Sequence, residues 1–334
     1  MKAIFLCDSN YNLERVYFKG ISQKLMQHVE IEEKIYTSSD VLNGKGNFND
    51  VEFIFSTWGM PALSVDQIKS IFPSLKCVFY GAGTVQSFAR PFLECGVKVF
   101  SAWAANAVPV AEYTVAQIIL ANKGFFTLSH INNPEERQKA ANAFPSYKGN
   151  YGATVGIIGA GMIGSLVIKL LKAFYNLNIV VFDPFLSDEK ANELGVTKTT
   201  LENLFAISQV TSNHLANNEQ TKGMLNYSHF ASMPKNAVFL NTGRGAQVVE
   251  NDLVNALKER EDITAILDVT DPEPPVDGHP FYSLKNCILT PHIAGSSGDE
   301  VCRMALYMLE EYLRYINNEK CLYEVTAKML ETMA

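Results

Sequence analysis

Gly159, Gly161 and Gly164 follow the β-branched and aliphatic run Thr154-Val-Gly-Ile-Ile158 at G-x-G-x-x-G spacing. Glycine at the first position permits a tight turn. At the second it lets the backbone approach a pyrophosphate, and at the third it lets a helix pack closely on the strand. A helical pattern through Leu166, Ile168, Leu170, Leu171 and Phe174 comes next, then a second apolar run, Asn178-Ile-Val-Val-Phe182, that ends in Asp183. The helix start offers free N–H groups and the positive end of its dipole to a diphosphate. Asp183 lies about 20 residues past the turn, where a carboxylate can bind ribose hydroxyls. That carboxylate would repel a 2′-phosphate, and no cation follows it before Lys190, so the unit reads as a site for NAD rather than NADP.

Three further residues of useful chemistry each stand just past an apolar run. Arg244 ends Asn241-Thr242-Gly243-Arg244-Gly245, Glu273 ends Asp268-Val-Thr-Asp-Pro-Glu273, and His292 lies in Thr290-Pro-His292-Ile-Ala-Gly295. A guanidinium is permanently charged and can bind two oxygens at once. An imidazole can donate or accept a proton near neutrality, and a carboxylate on its other nitrogen fixes its tautomer. Taken singly, each has a plainer reading: an ion-paired arginine, a solvated loop acid, a structural histidine. Together they lie at the carboxyl ends of strands, the edge of an open parallel sheet where ligands bind.

The elements needed to place them are legible as alternating strands and helices. Residues 1–103 offer strands at Lys2–Cys7, Ile31–Tyr36, Val51–Ser56, Cys77–Tyr80 and Val97–Phe100, with helical patterns at Leu13–Val29 and Val65–Ile71. Residues 154–291 repeat the theme with Val155–Ile158, Ile179–Phe182, Gln209–Ser212, Ala237–Leu240, Thr264–Leu267 and Ile288–Leu289. Such alternation predicts two α/β domains with parallel sheets. Between them, Asn106 reads as the N-cap of a long helix with Pro109 in its first turn, continuing to Lys123. This apolar region, Val99–Ala121, contains Asn106, Glu112 and Gln117, which makes it a core helix rather than a membrane span. Near the other end, Val301, Met304, Ala305, Met308, Leu309, Tyr312 and Ile316 share one helical face, with Asp299 and Glu300 at its positive end. Asn132–Ser146 is the most polar stretch and reads as a surface loop or short surface helix.

At 334 residues the chain exceeds one typical domain. Its net charge is −7, and no stripe of Lys or Arg marks it for nucleic acid or an anionic membrane. The apolar run at Met1–Cys7 is too short for a signal peptide. The six cysteines are scattered, none in C-x-x-C, and no His/Cys/Asp cluster has ligand spacing. The expectation is a cytoplasmic protein with free thiols and no metal.

The combination of motifs closely resembles the D-isomer-specific 2-hydroxyacid dehydrogenase family, over nearly the whole chain. Gly81-Ala82-Gly83 resembles that family's substrate-facing glycine turn, Asn106-Ala-Val-Pro-Val-Ala-Glu-Tyr-Thr114 its interdomain helix, and Tyr323–Leu330 its tail. The resemblance implies two Rossmann-like, doubly wound parallel-sheet domains separated by a cleft. Residues 1–103 and 295–334 would form a flavodoxin-like substrate domain, 104–294 the NAD-binding Rossmann domain, and the cofactor domain would carry a homodimer contact. Besides Gly159, Gly161, Gly164 and Asp183, the implied cofactor contacts are Met162 and Ile163 at the helix start, Thr114, and His214, Ala216 and Thr221. Thr242, Gly243 and Gly295 complete the set, with Asp268 at the nicotinamide end. Two departures stand out: the family's His-Leu-Pro turn is His214-Leu215-Ala216, and the acidic stretch after the first glycine turn is Thr84-Val-Gln-Ser87.

Reducing a 2-oxo acid requires that a carboxylate be held, a carbonyl polarised and a proton delivered. Arg244 suits the first two tasks and His292 the third, with Glu273 behind the histidine, and all three match the family's triad. Trp58 and Met60, after a first-domain strand, would shape an apolar substrate wall beside Gly81, Ala82 and Gly83. The loop Phe55–Pro61 has no Lys or Arg and no regulatory domain is appended, which argues against a 3-phosphoglycerate enzyme. Glu273 argues against the formate branch, and a phosphite enzyme would want an added cation near Gly81–Thr84. The competing reading is an NAD(H)-sensing regulatory or corepressor-like protein of the same fold.

Overall fold

The computed structural model describes residues 1–173 and 176–331, so Phe174 of the expected helical pattern lies outside the described residues. The chain divides into two compact units, Met1–Asn106 with Ser296–Ala334, and Ala107–Gly295. In chain order the strands are β1 (Ala3–Leu6), β2 (Ile35–Tyr36), β3 (Phe53–Ser56), β4 (Cys77–Tyr80), β5 (Lys98–Ser101), β6 (Thr154–Ile158), β7 (Asn178–Phe182), β8 (Thr197–Lys198), β9 (Val210–Asn213), β10 (Val238–Asn241), β11 (Thr264–Leu267), β12 (Cys287–Leu289) and β13 (Glu324–Val325).

In the first unit the sheet order is β13-β5-β4-β3-β1-β2, parallel except for β13, which runs antiparallel to β5. The order 2-1-3-4-5 within it is the flavodoxin-like doubly wound pattern. Its strands AIFL, FIFS and CVFY are buried at every position, as a parallel sheet covered on both faces demands. Phe55, Phe79 and Phe100 stack across β3, β4 and β5 with ring centres 5.1 and 4.9 Å apart. Tyr312 of the helix Val301–Ile316 meets Phe55 and Phe79 edge-on at 5.7 Å, so the expected apolar face of that helix is the one that closes the core.

The second unit orders its strands β12-β11-β10-β9-β6-β7-β8, all parallel. Read from β8, this is the dinucleotide-binding order 3-2-1-4-5-6 with one strand added, and the order reverses between β6 and β9. Both doubly wound sheets agree with the architecture that the alternation of elements predicts. Strand ends differ from the expected ones by a residue or two, except that Ile31–Tyr36 shortens to β2.

Three local expectations need correction. The segment Leu13–Val29 is two helices, Asn10–Tyr17, capped by Phe18, and Ile21–Leu25, whose N-cap Gly20 takes φ +92°, a left-handed conformation that a continuous helix cannot contain. Asn106 is not an N-cap. The helix spans Trp103–Asn122, with Pro109 inside it, because Trp103, Ala104 and Ala105 already continue the helical backbone. The Asn106 side chain instead accepts a bond from the Ser296 amide at 3.0 Å, where the chain re-enters the first unit. Finally, β8 and β13 were not anticipated; each is two residues long, too short for a period-2 pattern to register.

The helix Trp103–Asn122 is, among the described residues, the one long and apolar enough to cross a membrane. Its Ala105 lies in the core of the first unit and its Ala111, Val115 and Ile118 in the core of the second. Asn132–Ser146 resolves into an exposed helix, Pro134–Ala143, capped by Asn133, and a single 3₁₀ turn, Phe144–Ser146.

Candidate active site

The glycine turn after β6 is tightly specified. Gly159 has φ +87°, and a Cβ there would stand 2.8 Å from the His214 carbonyl oxygen. At Gly164 a Cβ would lie 2.0 Å from the Gly159 oxygen, so only glycine lets the helix Met162–Ala173 sit this close to β6. Around Gly161 the space is open to 4 Å. The turn thus keeps one glycine facing open space while the other two close the fold, and the first amides of the following helix have no carbonyl partner within it. Met162 is exposed and Ile163 packs on the core. Asp183, just past β7, accepts the Ala160 amide at 2.7 Å through one oxygen and the Phe185 amide at 2.8 Å through the other. An acid tied to the glycine turn and an uncovered glycine beside a helix start fit a dinucleotide, whose ribose and diphosphate those groups would hold.

A buried amide network joins the next strand ends. Asn213 Nδ2 donates to Asn241 Oδ1 at 3.0 Å and to Gln247 Oε1 at 2.6 Å. Gln247 Nε2 donates to the Leu215 and Ala216 carbonyls at 2.8 and 3.0 Å, while its oxygen accepts the Arg244 amide. Asn241 accepts the Gly243 amide and donates to the Arg244 carbonyl. The backbone of the His214-Leu215-Ala216 turn is therefore fixed by Gln247 without a proline. None of these three amides was singled out from sequence; polar residues at the last position of a strand are the signal that could have found two of them. His214 bonds Ser212 through Nε2 at 2.9 Å, its Nδ1 is buried without a partner, and burial pushes its pKa down to about 3.

Several implied cofactor contacts turn out to be occupied by the protein itself. Thr114 is fully buried and its hydroxyl meets that of Thr242 at 3.3 Å. Thr221 Oγ1 donates to the Ala216 carbonyl at 2.7 Å. Gly243 is enclosed, with Gln247 Oε1 2.9 Å from a Cβ built there. Each of these groups has a partner within the second unit. Asp268 is buried too, at 2 % exposure. Its Oδ1 accepts from the Thr290 hydroxyl at 2.6 Å and the Ile293 amide at 2.8 Å, and its Oδ2 from the Ala294 amide at 2.9 Å. Its visible work is to hold the turn from Thr290 to Gly295 in place.

That turn carries His292, whose backbone is left-handed at φ +56°. His292 Nδ1 and Glu273 Oε1 are 2.6 Å apart, with both side chains about half exposed. Nδ1 is engaged, so Nε2 is the nitrogen left to face a ligand. Arg244 follows β10 in an extended conformation, and its Nη1 donates to the Gly243 carbonyl at 2.7 Å. Burial lowers the pKa of its guanidinium, and the nearby charge of Glu273 opposes that shift. Gly245 explains the closeness: a Cβ there would fall 2.0 Å from the Thr270 carbonyl carbon, so the arginine turn lies directly on the segment leading to Glu273. The three expected residues are thus brought together at the carboxyl ends of β10, β11 and β12.

In the first unit, the glycine turn after β4 is held by hydroxyls. Thr57 Oγ1 donates to the Gly81 carbonyl at 2.7 Å, and Ser101 Oγ to those of Ala82 and Gly83 at 2.8 and 2.6 Å. In a trans peptide the N–H opposes the C=O, so the Ala82 and Gly83 amides are turned away from these hydroxyls. Trp58 stays partly exposed, whereas Met60 is buried in the core at 8 % exposure.

Residues 125–294 match the model of the D-isomer specific 2-hydroxyacid dehydrogenase NAD binding domain, half of the chain. The chain belongs to this family. Its NAD-binding domain lies wholly within the second unit, and NAD is its cofactor. A D-3-phosphoglycerate dehydrogenase of Bacillus subtilis is 32% identical over 226 residues, 66% of this chain and 41% of that protein. A glyoxylate reductase of Aeropyrum pernix is 37% identical over 164 residues, 49% of each. The chain thus spans about half or less of the length of these curated relatives. Among solved structures, the NAD-complexed D-isomer specific 2-hydroxyacid dehydrogenase of Lactobacillus delbrueckii ssp. bulgaricus aligns with TM-score 0.75 at 18% identity, covering 98% of this chain and 100% of that one. The D-mandelate dehydrogenase of Rhodotorula graminis aligns with TM-score 0.77 at 17% identity, covering 97% of each. At such identities these two likenesses speak for the shared fold alone.

Proposed function

We propose that this chain is an NAD-dependent dehydrogenase that interconverts a small 2-oxo acid and its D-2-hydroxy acid. The observation that carries this reading is the 2.6 Å contact of His292 with Glu273 on the same sheet edge as Arg244. NAD, when bound, supplies or accepts the hydride. Arg244 holds the substrate carboxylate and draws electron density from the neighbouring carbonyl. His292 Nε2 gives its proton to the oxygen that becomes the hydroxyl, and takes it back in the oxidation direction. Glu273 keeps Nδ1 bonded, which fixes the ring and its tautomer. The reading carries with it a cytoplasmic homodimer, which sedimentation and cell fractionation would test.

Steady-state kinetics on Arg244 variants test the assignment. Arg244→Ala raises KM and lowers kcat together for 2-oxo acids, because binding and polarisation are lost at once. Arg244→Lys does not restore activity, since an ammonium lacks the paired planar donors. A simple aldehyde without a carboxylate loses much less in either variant. Equal losses for acid and aldehyde would make Arg244 structural and remove the hydroxy-acid site. NADH binding without turnover on any 2-oxo acid would leave the sensor reading in its place.

A further inference from the structure

Glu250 is a largely buried carboxylate that no step of the proposed reaction uses. It opens the helix Glu250–Glu259, whose Leu253, Val254 and Leu257 are anchored in the core of the second unit. Its side chain is 15 % exposed. Burial raises its pKa, and the Asp271 amide and His279 oppose that rise. A carboxylate is held out of water only at a cost, which its contacts must offset.

Those contacts reach the segment that carries Glu273. Glu250 Oε1 accepts the Asp271 amide at 2.9 Å. Its Oε2 lies 3.6 Å from His279 Nε2, an electrostatic contact rather than a hydrogen bond. His279 Nδ1 accepts the Phe281 amide at 3.3 Å, so the neutral ring carries its proton on Nε2, toward Glu250. The imidazole also meets the ring of Phe281 edge-on at 4.5 Å, and Phe281 is buried in the same core. One carboxylate thus faces both ends of the loop 271–279 from a helix fixed in that core.

The loop has few backbone donors of its own. In Asp271-Pro272-Glu273-Pro274-Pro275 three prolines lack an N–H, which leaves those of Asp271 and Glu273. Residues 271–274 are exposed. The Pro272 and Pro275 carbonyls accept the Thr270 and Tyr282 hydroxyls at 2.9 and 3.1 Å. Those hydroxyls lie in the adjoining chain, whereas Glu250 reaches in from a separate helix. Its bond grips the backbone two residues before Glu273, whose carboxylate stands 2.6 Å from His292 Nδ1.

We propose that Glu250 is a positioning residue for the reaction: through the Asp271 amide it holds Glu273 at the distance that orients His292. This rests on the dehydrogenase reading above. All of these groups belong to the second unit. Small displacements matter here, because a shift of about 1 Å from a change far from the chemistry can cost on the order of 100-fold in rate.

The test is a double-mutant cycle on kcat, with NADH and the best of glyoxylate, pyruvate and hydroxypyruvate as substrates. Glu250→Ala lowers kcat roughly 10-fold while KM for NADH stays within about twofold. In a Glu273→Ala background the same substitution costs less than about twofold, because the group it positions is gone. Glu250→Gln, whose amide oxygen still accepts from Asp271, keeps roughly a third or more of wild-type kcat. Wild-type kcat in Glu250→Ala, or equal losses in both backgrounds, would overturn the proposal. A glutamine variant as poor as the alanine one would rule out the bond to Asp271 as its means. Should the alanine variant not fold, Glu250→Asp goes through the same cycle, its carboxylate one methylene too short to reach the amide. If the wild type reduces none of the three acids, the reaction reading fails by itself, and a crystal structure of the folded variant still judges Glu250. A Glu273–His292 contact that opens there supports the positioning role, and one that stays at 2.6 Å overturns it.

Discussion

His292 shows how much a single residue asks of its surroundings. A histidine at φ +56° is uncommon and costs backbone energy, and Asp268 pins the two amides and the hydroxyl around it. The residue types at this edge were legible from sequence because arginine, glutamate and histidine carry their chemistry in their names, and their spacing places each after an apolar run. The work of Asp268 was not, because an acid that accepts three short bonds from its own fold looks in sequence like one that meets a ligand. Two outcomes follow for the acid–base pair. His292→Ala lowers kcat by roughly 10²–10⁴ with NADH binding nearly intact. Glu273→Gln is milder, because an amide oxygen can still accept from Nδ1 and hold the ring. Wild-type turnover in the first variant, or a loss in the second as large as in the first, would count against the pair.

The elements were easier to read than their ends. Continuous apolar runs such as Cys77–Tyr80 and Thr264–Leu267 gave strands with the observed limits, since a strand buried on both faces needs no alternation. Asn106 misled because asparagine and a proline three residues on imitate a helix start, while the true start depends on what packs around Trp103. The network of Asn213, Asn241 and Gln247 was invisible for a related reason: three neutral amides distant in sequence signal nothing until the strand order brings them together. Gly245 is the place to test how tightly these loops are coupled. Gly245→Ala puts a methyl against the Thr270 backbone and separates Arg244 from the segment bearing Glu273. It costs about 2 kcal/mol of stability and lowers kcat more than it weakens NADH binding. Thermal denaturation with kinetics checks both, and a variant as stable and active as wild type would show that the two turns move independently.

At the scale of the whole molecule, alternation of strands and helices announced two doubly wound sheets, but not the means by which the last residues join the first sheet. Glu311 does much of that. It is fully buried, pairs with Arg314 at 2.6 Å, and accepts the amides of Leu322 and Tyr323 at 2.9 and 3.0 Å, which sets β13 against β5. Glu311→Ala leaves two amides without their acceptor and the Arg314 guanidinium with Glu310 alone, a loss of about 3 kcal/mol. Hydrogen exchange would quicken at Leu322–Val325, and protection unchanged there would show that the strand holds without the acid. The division of the chain at Asn106 and Ser296 has a further consequence, for the protein as it is being made. On a ribosome the strands β1 to β5 emerge before the second unit, yet Tyr312, which closes their core, lies about two hundred and ten residues after β5. At the usual pace of synthesis that is a wait of roughly 10–40 s, during which a sheet of phenylalanines has no lid. The nucleotide-binding unit, continuous in sequence, can meanwhile complete itself. The first unit, begun before the second and closed only after it, is therefore the one more in need of a chaperone.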